Sequence, residues 1–97
     1  GWPKTISYTD NYGRKPVGHL PSIKVTGMKN PVIQLKDSKG ELVYALRIRG
    51  DSYRPPVFES RGDYELRVGD PDLDSWKTLK SLKSESGESR SSQTVNF

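Results

Sequence analysis

Residues 32–70 read VIQLKDSKGELVYALRIRGDSYRPPVFESRGDYELRVGD. Three runs in this stretch alternate apolar and polar residues with a period of two, the mark of half-buried β-strands. In the middle run Leu42, Tyr44, Leu46 and Ile48 fall on one face, and Val43, Ala45, Arg47 and Arg49 on the other. In the third, Tyr64, Leu66 and Val68 point inward, and Asp63, Glu65 and Arg67 outward. Ser38-Lys39-Gly40 is a short Gly-ended connection that favours a hairpin between the first two runs. The stretch therefore predicts a small antiparallel sheet protein.

Working outward, Ser22–Val25 reads as a further strand with Ile23 and Val25 inside, closed by a turn at Gly27, Lys29, Asn30 and Pro31. Pro55-Pro56 lacks two backbone donors and cannot lie in a central strand, so this segment is expected to cross over and return Val57 and Phe58 to the core. Trp76–Leu82 fits either a helical turn or a strand, and the strand is the expectation beside such a sheet. Residues 1–21 read as an N-terminal arm. From Lys83 onward the chain is rich in Ser and Glu and reads as a flexible tail, unless Thr94–Phe97 adds a last strand. The predicted organisation is one β-sandwich module over residues 1–82 followed by a tail over 83–97.

Composition agrees. The 97 residues suit one domain. With 31% hydrophobic residues and a mean hydropathy of −0.81, the core must be thin, as in a two-layer sandwich rather than an enzyme with a deep cleft. There is no cysteine, hence no disulfide and no thiolate metal site. No run approaches the roughly 18–20 apolar residues that cross a bilayer. The chain begins at Gly1 without a signal peptide, which leads us to expect an excised module or processed fragment. The net charge of +4 is unevenly placed: residues 1–30 carry five basic side chains against Asp10, 31–75 seven against nine acidic, and 76–97 four against two. Such asymmetry favours a polyanionic partner or serves solubility alone.

Catalytic chemistry is sparse. A single histidine and no cysteine exclude a Cys–His pair and a histidine zinc site. There is no GxSxG elbow and no GxxxxGK[ST] or GxGxxG phosphate loop. His19 reads as a partly buried hydrogen-bonding residue. Asp70, Asp72 and Asp74 have the alternate spacing that begins calcium loops, but Ser75 and Ser81 stand where an EF-hand needs Gly and Glu. A solvated turn capped by its own Asp side chains is expected there, with a looser calcium site the alternative and no other cofactor. The better lead is aromatic and basic: Trp2, Tyr8, Tyr12, Tyr53 and Trp76 each lie in loops or beside Gly, Pro or basic residues. Flat rings stack on sugars, and Arg or Lys holds sulfate or carboxylate oxygens. Trp2, Tyr12, Arg14, Lys15, Tyr53, Arg54, Trp76 and Lys77 are accordingly the candidate ligand-binding residues, against the alternative that the rings close the ends of the core. Arg47, Arg49 and Arg67 are expected to pair across strands with Glu65 and Asp63. The charge excess is small and no RNP-like strand motif occurs, so nucleic acid is not an expected partner, nor is a membrane.

The phrases GWP-x-T-I, DNYGRK, LPSIKVTGMKNPVIQL, GELVYALRIRG, PPVF and GDYELRVGDP, over about residues 2–80, resemble a domain at the C-terminal end of secreted bacterial hydrolases, chiefly metallophosphatases of the alkaline phosphatase D type. The resemblance implies an immunoglobulin-like sandwich, an extracytoplasmic location and a larger parent enzyme. It transfers no catalytic residue. The expected function is a monomeric, non-catalytic accessory module that binds carbohydrate, in particular an anionic or sulfated polysaccharide. The alternative is a structural domain that packs on its parent catalytic domain. An enzyme in its own right would need a buried acidic pair around His19.

Overall fold

The computed structural model describes residues 16–59, 62–85 and 91–97. Nine strands and no helix occur among them: β1 (Gly18–His19), β2 (Ser22–Thr26), β3 (Val32–Lys36), β4 (Leu42–Arg47), β5 (Ser52–Tyr53), β6 (Pro56–Val57), β7 (Tyr64–Asp70), β8 (Ser75–Leu82) and β9 (Ser92–Asn96). They form a four-stranded antiparallel sheet ordered β4-β3-β7-β8, a three-stranded sheet ordered β5-β2-β9, and the small pair β1-β6. The result is an all-β immunoglobulin-like sandwich. One pairing departs from antiparallel: β2 and β9 run parallel, from Ser22 opposite Ser92 to Thr26 opposite Asn96. The segment read as a tail thus supplies β9, the last strand that the sequence left open.

The core follows the period-two pattern. Ile33 and Leu35 of β3 lie between Leu46 and Tyr44 of β4 and Val68 and Leu66 of β7. Against them pack Ile23 and Val25 of β2, Val95 of β9, and Leu20, Val57 and Phe58 around the small pair. Buried Tyr44 stitches the layers together. Its hydroxyl donates to the Pro56 carbonyl at 2.7 Å, and its ring meets Phe58 edge-on at 6.5 Å between centroids. The segment expected to cross over as a loop carries two short strands instead, and Pro56 opens the two-residue pairing of β6 with β1, outside any central strand. There Pro55 only accepts, from the Leu20 N–H at 2.8 Å.

Two irregularities re-aim side chains. On β4 the register slips between Leu35–Tyr44 and Lys36–Leu42, leaving Val43 as an extra residue. The bulge corrects the inward placement of Leu42: it turns out beside Lys36 and is 55% exposed, while Val43 packs against the core instead. On β8, Lys80 and Ser81 together oppose Glu65, and Ser81 takes a left-handed φ of 58° to fit. A test is direct. Leu42→Ala should change stability by no more than about 0.5 kcal/mol, whereas Leu46→Ala should cost about 2–5 kcal/mol. Urea unfolding of the two variants measures both.

Candidate functional site

Residues that face away from the core on the four-stranded sheet form three rows across it. The first runs Arg47, Val32, Gly69, Trp76, and the second Ala45, Gln34, Arg67, Thr78. The third runs Leu42, Lys36, Glu65 and, past the bulge, Lys80. Within these three rows four cationic side chains therefore accompany a single carboxylate, Glu65. Sequence reasoning had Arg47 and Arg67 on this face. The addition of Lys36 and Lys80 required the register across four strands.

The first row shows how the face is built. Val32 points away from the core yet is fully buried. Its neighbour Gly69 lets the Trp76 indole lie close against the sheet. A Cβ built on Gly69 would lie 2.8 Å from Cε3 of the Trp76 indole and closer still to the Ser75 carbonyl oxygen. Aromatic cover of a cross-strand glycine in this way also pins register. The Arg67 guanidinium lies over the indole, its Cζ 4.4 Å from the ring centroid, and Nη1 donates to Gln34 Oε1 at 3.0 Å. Arg47 Nη1 donates to the Asn30 carbonyl at 2.8 Å. The expected pairing of these arginines with Glu65 and Asp63 is thus replaced. Among the described residues they bond to neutral acceptors and to an aromatic face, so their charge is not cancelled. Near the bulges a shallow depression of about 270 Å³ opens beside Lys36 and Lys80, but Asp37, Asp63 and Glu65 also line it. Its mixed sign suits no small anion.

The other candidate residues lie apart from this face. Trp2, Tyr12, Arg14 and Lys15, with Tyr8, fall outside the described residues. Tyr53 pairs with Ile23 and packs partly buried against the core, so it closes the core edge on β5. Arg54 follows it beside His19. Lys77 is next to Trp76 in sequence but on the opposite face, where Nζ donates to the Asn96 carbonyl and sits 5.5 Å from the Phe97 ring centroid. It links the edge of one sheet to β9 of the other. Tyr53-Arg54 and Trp76-Lys77 are therefore on different strands at different sheet edges, and only Trp76 belongs to the cationic face.

The aspartate turn is an Asx turn: Asp70 Oδ1 accepts from the Asp72 N–H at 2.8 Å, and Asp74 takes a φ of 47°. Among the described residues no group of three or more His, Asp or Glu is placed to hold a metal ion. His19 is tied through its backbone to Glu85, whose N–H donates to the His19 carbonyl at 2.7 Å. Burial, and secondarily the Arg54 guanidinium, push its imidazole below the ordinary value of 6.5. No helix among the described residues is long and apolar enough to cross a membrane. Comparison with family models, curated proteins and solved structures gave no match.

Two outcomes follow. Gly69→Ala should destabilise the domain by about 1–3 kcal/mol through overpacking, with a changed indole emission, in urea titrations followed by fluorescence. For His19 the folded state favours the neutral imidazole. Its contribution is full above the ordinary pKa of 6.5, falls as pH drops through that value, and levels off below the folded pKa. NMR titration of this one histidine should give a pKa below 6.5. His19→Asn should flatten the decline in stability just below that pH.

Proposed function

We propose that this domain is a non-catalytic accessory module of a secreted hydrolase that binds an anionic polysaccharide on the outer face of the four-stranded sheet. One observation carries the reading: Lys36, Arg47, Arg67 and Lys80 share three cross-strand rows in which Glu65 is the one carboxylate, with Asp37 and Asp63 at the end beside Lys36 and Lys80. Long chains with repeated negative charge fit such a face, since it offers several cations in register and no enclosed cavity. Hydrolase association and export follow from the resemblance of residues 2–80 to C-terminal domains of secreted hydrolases. The sugar-stacking role first given to Trp76 is modified. With Arg67 over one side of the ring, the indole supports a cation as well as offering an edge to sugar.

A second reading has its own observation. Leu42 stands exposed on the same face, and an apolar side chain among charges suits packing against the parent catalytic domain.

Affinity electrophoresis in gels containing polygalacturonate, dextran sulfate or neutral dextran separates the two. Retardation by the polyanions, weakened as salt rises past about 0.15 M, where charges farther apart than roughly 8 Å are screened, supports the glycan reading. Lys36→Gln with Lys80→Gln should lower polyanion affinity roughly 2- to 30-fold, since each exposed ionic contact is worth about 0.2–1 kcal/mol. Unretarded migration in every gel, with Leu42→Asp disrupting association with the catalytic domain, would favour the docking reading.

A further inference from the structure

Resting on the polyanion reading of this face, we propose that Arg67 is the group that recognises the anion. Its guanidinium takes a carboxylate or sulfate of the glycan, while Trp76 and Gln34 act as positioning residues.

Arg67 lies on β7, hydrogen-bonded between β3 and β8, so its backbone is held on both sides, as is that of Lys36 on β3, whereas Arg47 and Lys80 lie on the edge strands β4 and β8. Its plane is held twice, by the indole 4.4 Å away and by the bond from Nη1 to Gln34 Oε1. A guanidinium has five N–H donors. Among the described residues, Gln34 accounts for one. The residues paired with Arg67 on either side are Gln34 and Thr78, both neutral. A carboxylate at either position would neutralise the arginine by a cross-strand pair, and neither supplies one. Arg67 is thus half-buried, oriented and uncompensated.

That combination suits a two-oxygen anion better than a diffuse cloud of counterions. The fork offers two parallel donors, and part of the ordering cost of binding is already met by the fixed side chain. Lysine at this position would keep the charge and lose the fork.

Sheet spacing then bears on ligand size. Lys36 and Lys80 flank Glu65 one row from Arg67. At about 4.8 Å between strands and 3.3 Å per residue, their Cα atoms lie roughly 8 Å from that of Arg67 and 10 Å from each other. Glu65, standing between the two lysines, opposes drawing all three cations onto one anion, whereas successive charges of one chain meet them separately. The ligand is therefore a polyuronate or sulfated polysaccharide in which one charged group docks on Arg67 and its neighbours meet the lysines.

The experiment is a fluorescence and calorimetric titration of the full chain with polygalacturonate, dextran sulfate, monomeric galacturonate and neutral dextran. The wild type should bind a polyanion at least about tenfold more tightly than the monomer. The better of the two polyanions identifies carboxylate or sulfate as the group on Arg67. Arg67→Lys should lose roughly ten- to a hundredfold in affinity, the range for hydrogen bonds to charged groups, with its melting temperature close to the wild type. Gln34→Glu, which places a carboxylate beside the guanidinium, should weaken binding while preserving or raising stability. Its loss should exceed that of Lys36→Gln, which changes the net charge equally. If the wild type binds no polyanion, the functional reading and this assignment fall together. If it binds and both Arg67→Lys and Gln34→Glu bind as well as Lys36→Gln, only the Arg67 assignment is overturned.

Discussion

Strand β3 is the constraint on which the rest of the sandwich depends. It is hydrogen-bonded on both sides, and Val32, Ile33 and Leu35 have no exposed surface. Because the side-chain period is two, a slip of one residue against either neighbour would bury Gln34 and Lys36 and expose Ile33 and Leu35. At about 25 cal/mol per Å² of apolar surface, that exchange is too costly for a thin core to tolerate. The register of β3 therefore determines both the core on one side and the pairing of Gln34 with Arg67 on the other. The two bulges lie at the far end of this sheet, where they adjust strand ends without disturbing the central rows.

The outer face combines two physical devices. At one end, Gly69 lets the Trp76 indole lie close across the sheet, in the same row as fully buried Val32. In the next row Arg67 stands between neutral Gln34 and Thr78, and in the row after it Lys36 and Lys80 flank Glu65. The first device rigidifies the second, because the same indole that crosses Gly69 also supports the Arg67 guanidinium. Stability and the proposed recognition thus share Trp76, and a change there alters both.

The strands were legible in the sequence because alternation in Val32–Lys36, Leu42–Arg47 and Tyr64–Asp70 records burial directly. Trp76–Leu82 resolved as a strand because pairing with β7 buries Leu82 and part of Leu79. The Val43 bulge was not legible: one added residue between Leu42 and Tyr44 leaves no local mark, yet it reverses Leu42. Tyr53 looked like a loop aromatic because its partner Ile23 lies thirty residues away. Of the candidate site, the sequence pointed to Trp76 and separately to the outward arginines. Their stacking depends on a diagonal across β7 and β8 that no linear pattern displays.

The parallel strand at the chain's end has a kinetic consequence. Thr26 Oγ1 donates to Asn96 Oδ1 at 2.5 Å across a separation of 70 residues, and Gly27 adopts a φ of 81° against the Phe97 carbonyl. This edge of β2 therefore stays unpaired until Ser92–Asn96, some 70 residues further on, have been synthesised. Folding must close this large loop before β9 can add, which places the domain among slow-folding, high-contact-order topologies with times of roughly milliseconds to seconds. In that interval the open strand is a template for pairing with other chains, so the docking of β9 also ends the period of greatest aggregation risk.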